Sequence, residues 1–419
     1  MNDTCHEVAV IGAGVVGLCV AHELVHAGKR VVLVDPEPPG SQCSSGNSGA
    51  LSAGSVAPLA MPGVVRSSLP LLADPNGPLF VPPAYWLQAA PWLWRFVRAS
   101  KPQRVQQIAS ALHGLLHDAV GLHVQLARRI GAEHLIRHNG QLHLYPNEAA
   151  MSADRGGWAL KAQHGLKMEP VDASAIHALE PAVRHDRYTA GYFLPDEGSV
   201  VSPLAYSQAI AAALMARGVA FERTRVDALK ADGERWALHC AGRELHAKHV
   251  VVCAGAWSSR LLRTVGVNVP LQSQRGYHLQ YPGLRDTLNR VVVLADRKVF
   301  INPMQDGLRI GGTVEIDSLE RPMREQRALR LAEHLQAGLH LPAETGSAKS
   351  WMGHRPCLPD SMPVLGAVPH LTGLWCAFGH GHLGLTGAAK TARWLTQALV
   401  EGRAPQEMAL FSISRFMRG

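Results

Sequence analysis

The chain lacks any C-x-x-C pair. Its seven cysteines, Cys5, Cys19, Cys43, Cys240, Cys253, Cys357 and Cys376, are scattered, which argues against a disulfide framework and against a thiolate zinc site. It has no uninterrupted apolar run approaching the ~20 residues of a membrane-spanning helix, no internal repeat and no low-complexity tract. Charged residues make up only 18% of the chain, while hydrophobic residues make up 47%. That balance excludes the disordered and coiled-coil classes. Before the first apolar strand there is no space for a charged leader, an apolar segment and a cleavage site, so a cytoplasmic location is expected. The net charge of +8 suits an anionic substrate, a nucleotide cofactor or an anionic membrane surface. The basic residues are dispersed, with no basic helix, and no nucleic-acid partner is expected.

What is present is length enough, at 419 residues, for two or three domains, and a distinctive start. Residues 8–17 read V-A-V-I-G-A-G-V-V-G: an apolar run fit for a strand covered on both faces, three glycines, then helical spacing over 15–27. Gly12 permits the tight turn, Gly14 a close approach of backbone to a pyrophosphate, and Gly17 close packing of helix on strand. The helix N-terminus, at Val15 and Val16, turns unpaired N–H groups toward phosphate. A second apolar strand over 30–34 ends in Asp35, 23 positions after Gly12, where a carboxylate can accept from a ribose. The whole unit predicts dinucleotide binding without choosing FAD or NAD.

Further on, 46–63 is rich in Gly, Ser and Ala, and prolines recur over 58–91 as loops. Helical periodicity is expected over 105–130, 203–217, 322–339 and 388–399. Strands are expected over 140–145, 249–253, 276–281, 291–294, 298–302, 308–313 and 374–378, with 351–366 irregular and rich in proline. Gly379-His380-Gly381-His382 puts two imidazoles among glycines with no acid or thiol beside them, so no metal is expected. The segment 84–101 combines Trp86, Trp92, Trp94, Arg95, Arg98 and Lys101. It reads either as a membrane-surface helix or as an amphipathic helix packed on its own domain and broken near Pro91, the second being preferred.

Several of these segments together resemble the FAD-dependent D-amino-acid oxidase superfamily, and most closely its D-amino-acid dehydrogenases of the small-subunit type. The marks are V-I-G-A-G-V-V-G at the start, C-S-S-G-N-S-G at 43–49, A-P-L-A-M-P-G at 57–63, R-G-Y-H-L at 275–279, W-M-G-H-R-P-C-L-P-D-S-M-P-V-L-G at 351–366 and G-H-G-H-L-G-L-T at 379–386. The resemblance implies an α/β fold. An FAD-binding Rossmann-like domain of glutathione-reductase type (1–57, 195–265 and 350–419) would be interleaved with a mixed-sheet α+β substrate domain (58–194 and 266–349).

It further implies FAD held without a covalent bond, since Cys357 stands too close to Pro359-Asp360 to match the flavin-linking cysteine of sarcosine-oxidase-like relatives. Asp35 would meet the ribose and Val226 the adenine. Ser44, Ser45, Asn47, Ser48 and Gly49 would follow the pyrophosphate and the flavin edge, with Ala254, Gly255 and Trp257 also at the cofactor. Gly379, His380, Gly381, Gly384, Leu385 and Thr386 would cap the other side of the ring. Arg355 would clamp the substrate carboxylate, with Tyr277 and His382 beside it and His354, Phe300 and Lys298 as further wall residues. The closest dehydrogenases carry other residues at His278 and His382, which bears on substrate preference.

The implied reaction is oxidation of a D-amino acid to an imine by hydride transfer from Cα to flavin N5. Hydrolysis then gives a 2-oxo acid and ammonia, and electrons pass to a quinone, a respiratory chain or O2. The alternatives are a flavoenzyme for secondary or cyclic amines (D-hydroxyproline, D-proline, sarcosine or opine type), an electron-relay subunit and a nicotinamide enzyme. Contact with a membrane surface stays open.

Overall fold

The structure, a computed structural model, describes residues 5–72, 77–342 and 345–417. Two sheets organise it. In the first, strands Ala220–Glu222, Val31–Val34, Cys5–Ile11 and Arg243–Val252 run parallel in that spatial order, and Leu374–Phe378 joins Arg243–Val252 in parallel. The hairpin Val226–Asp232/Arg235–Cys240 and the strand Val364–Ala367 add antiparallel edges. Side chains alternate across a strand, and here both faces are covered: Val8 and Val10 enter the core under helices Val15–His26 and Gly384–Glu401, while Ala9 and Ile11 enter the opposite core with Trp236 and Phe378. That is why residues 8–11 are uniformly apolar. Burying each of the Val and Ile side chains contributes about 1.5–3 kcal/mol of transfer free energy.

Gly12 carries a φ of +111°, and a Cβ there would stand 2.4 Å from the Cys253 carbonyl oxygen; one at Gly17 would stand 1.9 Å from the Gly12 carbonyl oxygen. Both glycines are required by close approach, as the spacing predicted.

The second sheet is mixed. Its order is Lys349–Cys357, Gln272–Tyr281, Gly307–Ile316, Val299–Met304, Val291–Leu294, Gln141–Tyr145, Ala190–Leu194, Glu169–Asp172, antiparallel except where Val291–Leu294 meets Gln141–Tyr145. One face is covered by the helices Glu325–Leu329 and Leu331–Gly338, whose Ala328, Leu331 and Leu335 pack on Leu279, Ile301 and Ile310. The other face looks toward the first sheet. A three-stranded patch, Ala50–Leu51, Gly198–Val200 and Ile136–Arg137, sits between them in the chain.

Four expectations change. The stretch 351–366 is irregular only over 358–363: Lys349–Cys357 is a full strand, and it belongs to the second sheet rather than to the nucleotide part. It is an edge strand, which tolerates Pro356. The periodicity over 105–130 is two helices, Pro102–Leu116 and Ala119–Arg129. They pack into the core of the first sheet through Ile108, Leu112, Leu115 and Leu126, not into the substrate part. The expected helix over 322–339 is likewise divided, into Glu325–Leu329 and Leu331–Gly338. Helix Trp86–Ala99 continues through Pro91. The carbonyl that Pro91 leaves without its N–H partner is that of Leu87, which is 90% exposed and open to water.

Candidate active site

Four strands of the first sheet end side by side, and the residues that follow them, Gly12, Asp35, Cys253 and Gly379, all line one cavity of about 920 Å³. A crevice outside the carboxyl ends of parallel strands is where α/β sheets bind ligands. The second sheet supplies the facing wall through Gly276, His278, Arg309 and Arg355.

At the glycine-turn end, Asp35 accepts from the Ala13 N–H (2.7 Å) and the Glu37 N–H (2.8 Å), and Ser44 Oγ accepts from the Val15 N–H at 2.9 Å. Burial raises the Asp35 pKa and the two N–H bonds oppose the rise. Each carboxylate oxygen keeps a further lone pair for a ligand. Helix Gly384–Glu401 begins at the cavity, where Gly384, Leu385 and Thr386 line it, and no side chain caps its first turn. Its positive dipole end therefore faces the cavity.

The loop 44–49 is held by the second sheet. Arg309 donates to the carbonyls of Ser45 (3.0 Å) and Asn47 (2.5 Å), His278 Nδ1 to that of Gly46 (3.1 Å) and Asn302 Nδ2 to that of Ser48 (2.7 Å). The His278 ring stacks on Trp351, with centroids 4.8 Å apart.

Arg355 lies flat on the sheet. Its Cζ stands 2.3 Å from where a Cβ at Gly276 would be, so the glycine makes its bed. Nη1 donates to the Thr313 carbonyl and Nη2 to the Gly312 carbonyl, both at 3.2 Å. Successive carbonyls of a regular strand point opposite ways. Here the pairing with Gln272–Tyr281 slips between Gly276 and His278, one residue extra on the Gly307–Ile316 side, and this bulge presents both carbonyls to one guanidinium. No carboxylate among the described residues pairs with Arg355, and burial lowers its pKa.

The imidazoles here are neutral. Burial pushes His278 down to about 3 and His354 to about 4. The His382 ring is exposed within the cavity. The surrounding protein, with the Arg355 and Lys161 cations, holds it at about 4.

A family described as FAD dependent oxidoreductase, DAO, matches residues 7–398. The chain belongs to this family. Among relatives of the DAO protein, a D-amino-acid oxidase of Bradyrhizobium diazoefficiens (strain USDA 110) is 37% identical over 98% of this chain and 99% of its own length. A D-amino acid dehydrogenase of Rhodopseudomonas palustris (strain HaA2) is 29% identical over 99% and 98%. The DAO fold is shared with L-proline dehydrogenase from P. horikoshii (TM-score 0.74, 17% identity, 99% and 98% coverage) and glycine oxidase from Geobacillus kaustophilus (TM-score 0.72, 22% identity, 98% of both chains). The protein is thus an FAD-dependent oxidoreductase, and the glycine turn, the acid and the uncapped helix end are a chemically suitable set for that dinucleotide.

Of the residues expected at the DAO site, Gly12, Gly14, Val15, Val16, Asp35, Ser44, Asn47, Ser48, Val226, Ala254, Gly255, Trp257, Arg355, Gly379, Gly381, His382, Gly384, Leu385 and Thr386 do line the cavity. Three stand behind its wall. Gly17 packs on the Gly12 carbonyl, Ser45 turns its hydroxyl onto Ser41 and Gln42, and Gly49 binds Val200 through its carbonyl.

Two further expectations are narrowed. Tyr277 is among the residues that line the cavity, but its ring packs in the core on the helix-covered face and its hydroxyl donates to Glu315. His380 also lines the cavity, while its Nε2 is bonded to Thr391 at 2.9 Å.

Sequence reasoning missed Arg309, Asn302 and Trp351, and also Glu197, which accepts from the Ala53 and Gly54 N–H groups (2.6 and 2.8 Å) and is pushed up to about 7 by burial. Arg309 had one visible signal, a lone cation inside an apolar alternating run.

Proposed function

We propose that the protein oxidises D-amino acids to 2-oxo acids and ammonia, passing the electrons to a quinone or another acceptor. The observation that carries this reading is Arg355: a half-buried guanidinium held flat, lining the cavity and without a carboxylate partner among the described residues. Leaving such a group unpaired is costly unless a ligand anion completes it, and its planar fork matches the two oxygens of an amino-acid carboxylate. The names of the relatives support the D configuration.

FAD supplies the two-electron acceptor for the hydride that leaves the substrate Cα. Toward it, Asp35 would accept from ribose hydroxyls, the Val226 backbone would meet the adenine, and the N-terminus of Val15–His26 would face the pyrophosphate. The open N-terminus of Gly384–Glu401 would stabilise negative charge on the ring. Arg355 fixes the carboxylate and thereby the direction of the Cα–H bond. His278, His354 and His382 are held at about 3, 4 and 4 and are too weakly basic to take the ammonium proton, so the amine arrives deprotonated, its proton already lost to water. The cofactor is held without a covalent bond: Cys357 lies off the cavity, and burial pushes up both cysteines that line it, Cys43 to about 11 and Cys253 further still.

The outward face of helix Trp86–Ala99 supports contact with an anionic membrane surface. Ala89, Trp92 and Ala99 are buried against the protein, whereas Trp86, Leu87, Trp94 and Val97 are exposed beside Arg95 and Arg98. No Asp or Glu occurs from residue 75 to residue 117. No helix among the described residues is long and apolar enough to cross a membrane.

The deciding experiment is an absorption spectrum of the purified protein before and after anaerobic addition of D-amino, L-amino and cyclic imino acids. Bleaching by D-amino acids is expected. Bleaching only by cyclic or secondary amines selects that class instead, and bound flavin that no amino acid bleaches overturns the proposal.

A further inference from the structure

The Arg355 end of the cavity carries a second cation, with no acidic partner among the described residues. Lys298 forms the turn between strands Val291–Leu294 and Val299–Met304 and lines the cavity. Its φ is +55°, a left-handed conformation that residues with a β-carbon rarely adopt. Strain of this kind persists where the surroundings impose it and gathers at functional sites. No ion pair of Lys298 is found among the described residues. The acid of its own turn, Asp296, is engaged by Arg297 and by the Tyr188 hydroxyl.

The two cations share one support. The Lys298 carbonyl oxygen lies 3.0 Å from where a Cβ at Gly312 would stand, and the carbonyl of that same Gly312 accepts from Arg355. Phe300, on the strand that follows this turn, also lines the cavity and pairs with Gly311. Arg309 is already engaged in holding the loop 44–49: its Nε donates to Gln280 and its Nη1 to the Ser45 and Asn47 carbonyls. The acids that line the cavity are elsewhere: Asp35, Glu37 and Asp227 at the nucleotide end, and Glu320 in a pair with Arg260.

We infer that Lys298 selects substrates with a second carboxylate, so that acidic D-amino acids are preferred: the α-carboxylate on Arg355 and the side-chain carboxylate toward Lys298. This deepens the proposed D-amino-acid oxidation and rests on it. A carboxylate and the corresponding amide have nearly the same shape, so a preference between them reports charge and not cavity size.

The test uses purified full-length holoenzyme and compares kcat/KM for D-glutamate with D-glutamine and for D-aspartate with D-asparagine. The acid is expected to exceed its amide by at least about tenfold. Lys298→Met should lower that ratio toward one, mainly through KM for the acid, and Lys298→Arg should retain it. Bound-flavin absorbance in each variant reports an intact fold, and the wild-type ratio stands whether or not a variant folds. A wild-type ratio at or below one, or an unchanged ratio in Lys298→Met, overturns the role of Lys298 and leaves D-amino-acid oxidation standing. Failure of all four compounds, and of every other D-amino acid, to bleach the flavin overturns both.

Discussion

Arg275 and Arg355 stand on neighbouring strands of one sheet, and their partners differ in kind. Arg275 is fully buried against Glu315 and Asp317 and donates to the Arg321 and Pro322 carbonyls at 2.7 and 2.6 Å. Arg355 has only the Gly312 and Thr313 carbonyls and an open cavity. The first is a structural ion network; the second has its guanidinium facing the cavity, open to a ligand anion. Two charge-assisted bonds to a substrate carboxylate are each worth about 1.5–3 kcal/mol, so Arg355→Met should lower kcat/KM roughly 10²–10⁴-fold with flavin still bound. Arg355→Lys keeps the charge but loses the fork, and steady-state kinetics should place it between the two. An Arg355→Met enzyme with unchanged KM would assign the carboxylate to another group.

The pH profile follows from the imidazoles. Burial lowers His278 and His354 to about 3 and 4, and His382, open to the cavity, is held at about 4 by the surrounding protein and the Arg355 and Lys161 cations, so none changes charge near neutrality. Then kcat/KM should rise steadily between about pH 6 and 9 as the substrate ammonium ionises, and the rise should survive His382→Asn. An inflection near pH 6.5 that disappears in His382→Asn would show that the ring titrates in function. For stability the sign is the reverse of a stabilising charge: folded pKa values below the unfolded value near 6.5 mean that the unfolded chain takes up protons first. Stability is therefore lost as pH falls from about 6.5 toward 4.

At the scale of elements, the first strand, glycine turn, helix, second strand and acid were legible because each residue there obeys a local rule, and both faces of the strand demand apolar residues. The facing wall was less legible. Arg355 was found through its motif, but the bulge that seats it depends on a register between two strands, which no single strand shows. Tyr277 and His278 illustrate the same limit: neighbours in one strand, they point to opposite faces, and the apolar alternation did not say which face was the cavity because all ten residues of Gln272–Tyr281 are buried. Lys349–Cys357 was hidden by its proline.

Helix Trp86–Ala99 had two readings, and the structure bears on both: one face is core and the other exposes Trp94, 59% accessible, with Arg98 4.5 Å above its ring. Such a face should bind vesicles containing phosphatidylglycerol and not vesicles of phosphatidylcholine alone, with binding screened at about 0.5 M salt. Leu87→Glu, on the exposed face, should abolish co-sedimentation while changing stability by no more than about 0.5 kcal/mol. Retained binding by Leu87→Glu would remove this helix from any membrane role.

At the scale of the whole molecule, the cavity lies between two sheets whose cores are separate, and much of what joins them runs through the loops that line it. Arg309, His278 and Asn302 reach from the second sheet to the loop 44–49 of the first. Thr386, at the start of helix Gly384–Glu401, meets Ala50 and Ser52 at 3.3 Å. A dinucleotide in that space would touch both sheets and therefore bind the folded arrangement and not the unfolded chain. Ligand of this kind stabilises by mass action, about 2.7 kcal/mol at a hundredfold excess over its Kd. FAD removed by dialysis against a chaotrope should thus leave a protein of lower Tm, and added FAD should restore it in a concentration-dependent way. Because no cavity thiol is poised to bond the ring, acid precipitation should release all of the flavin to the supernatant. Flavin retained in the pellet would show a covalent link, and then the first residue to examine is Cys43, the cavity-lining cysteine on the loop that the second sheet holds in place.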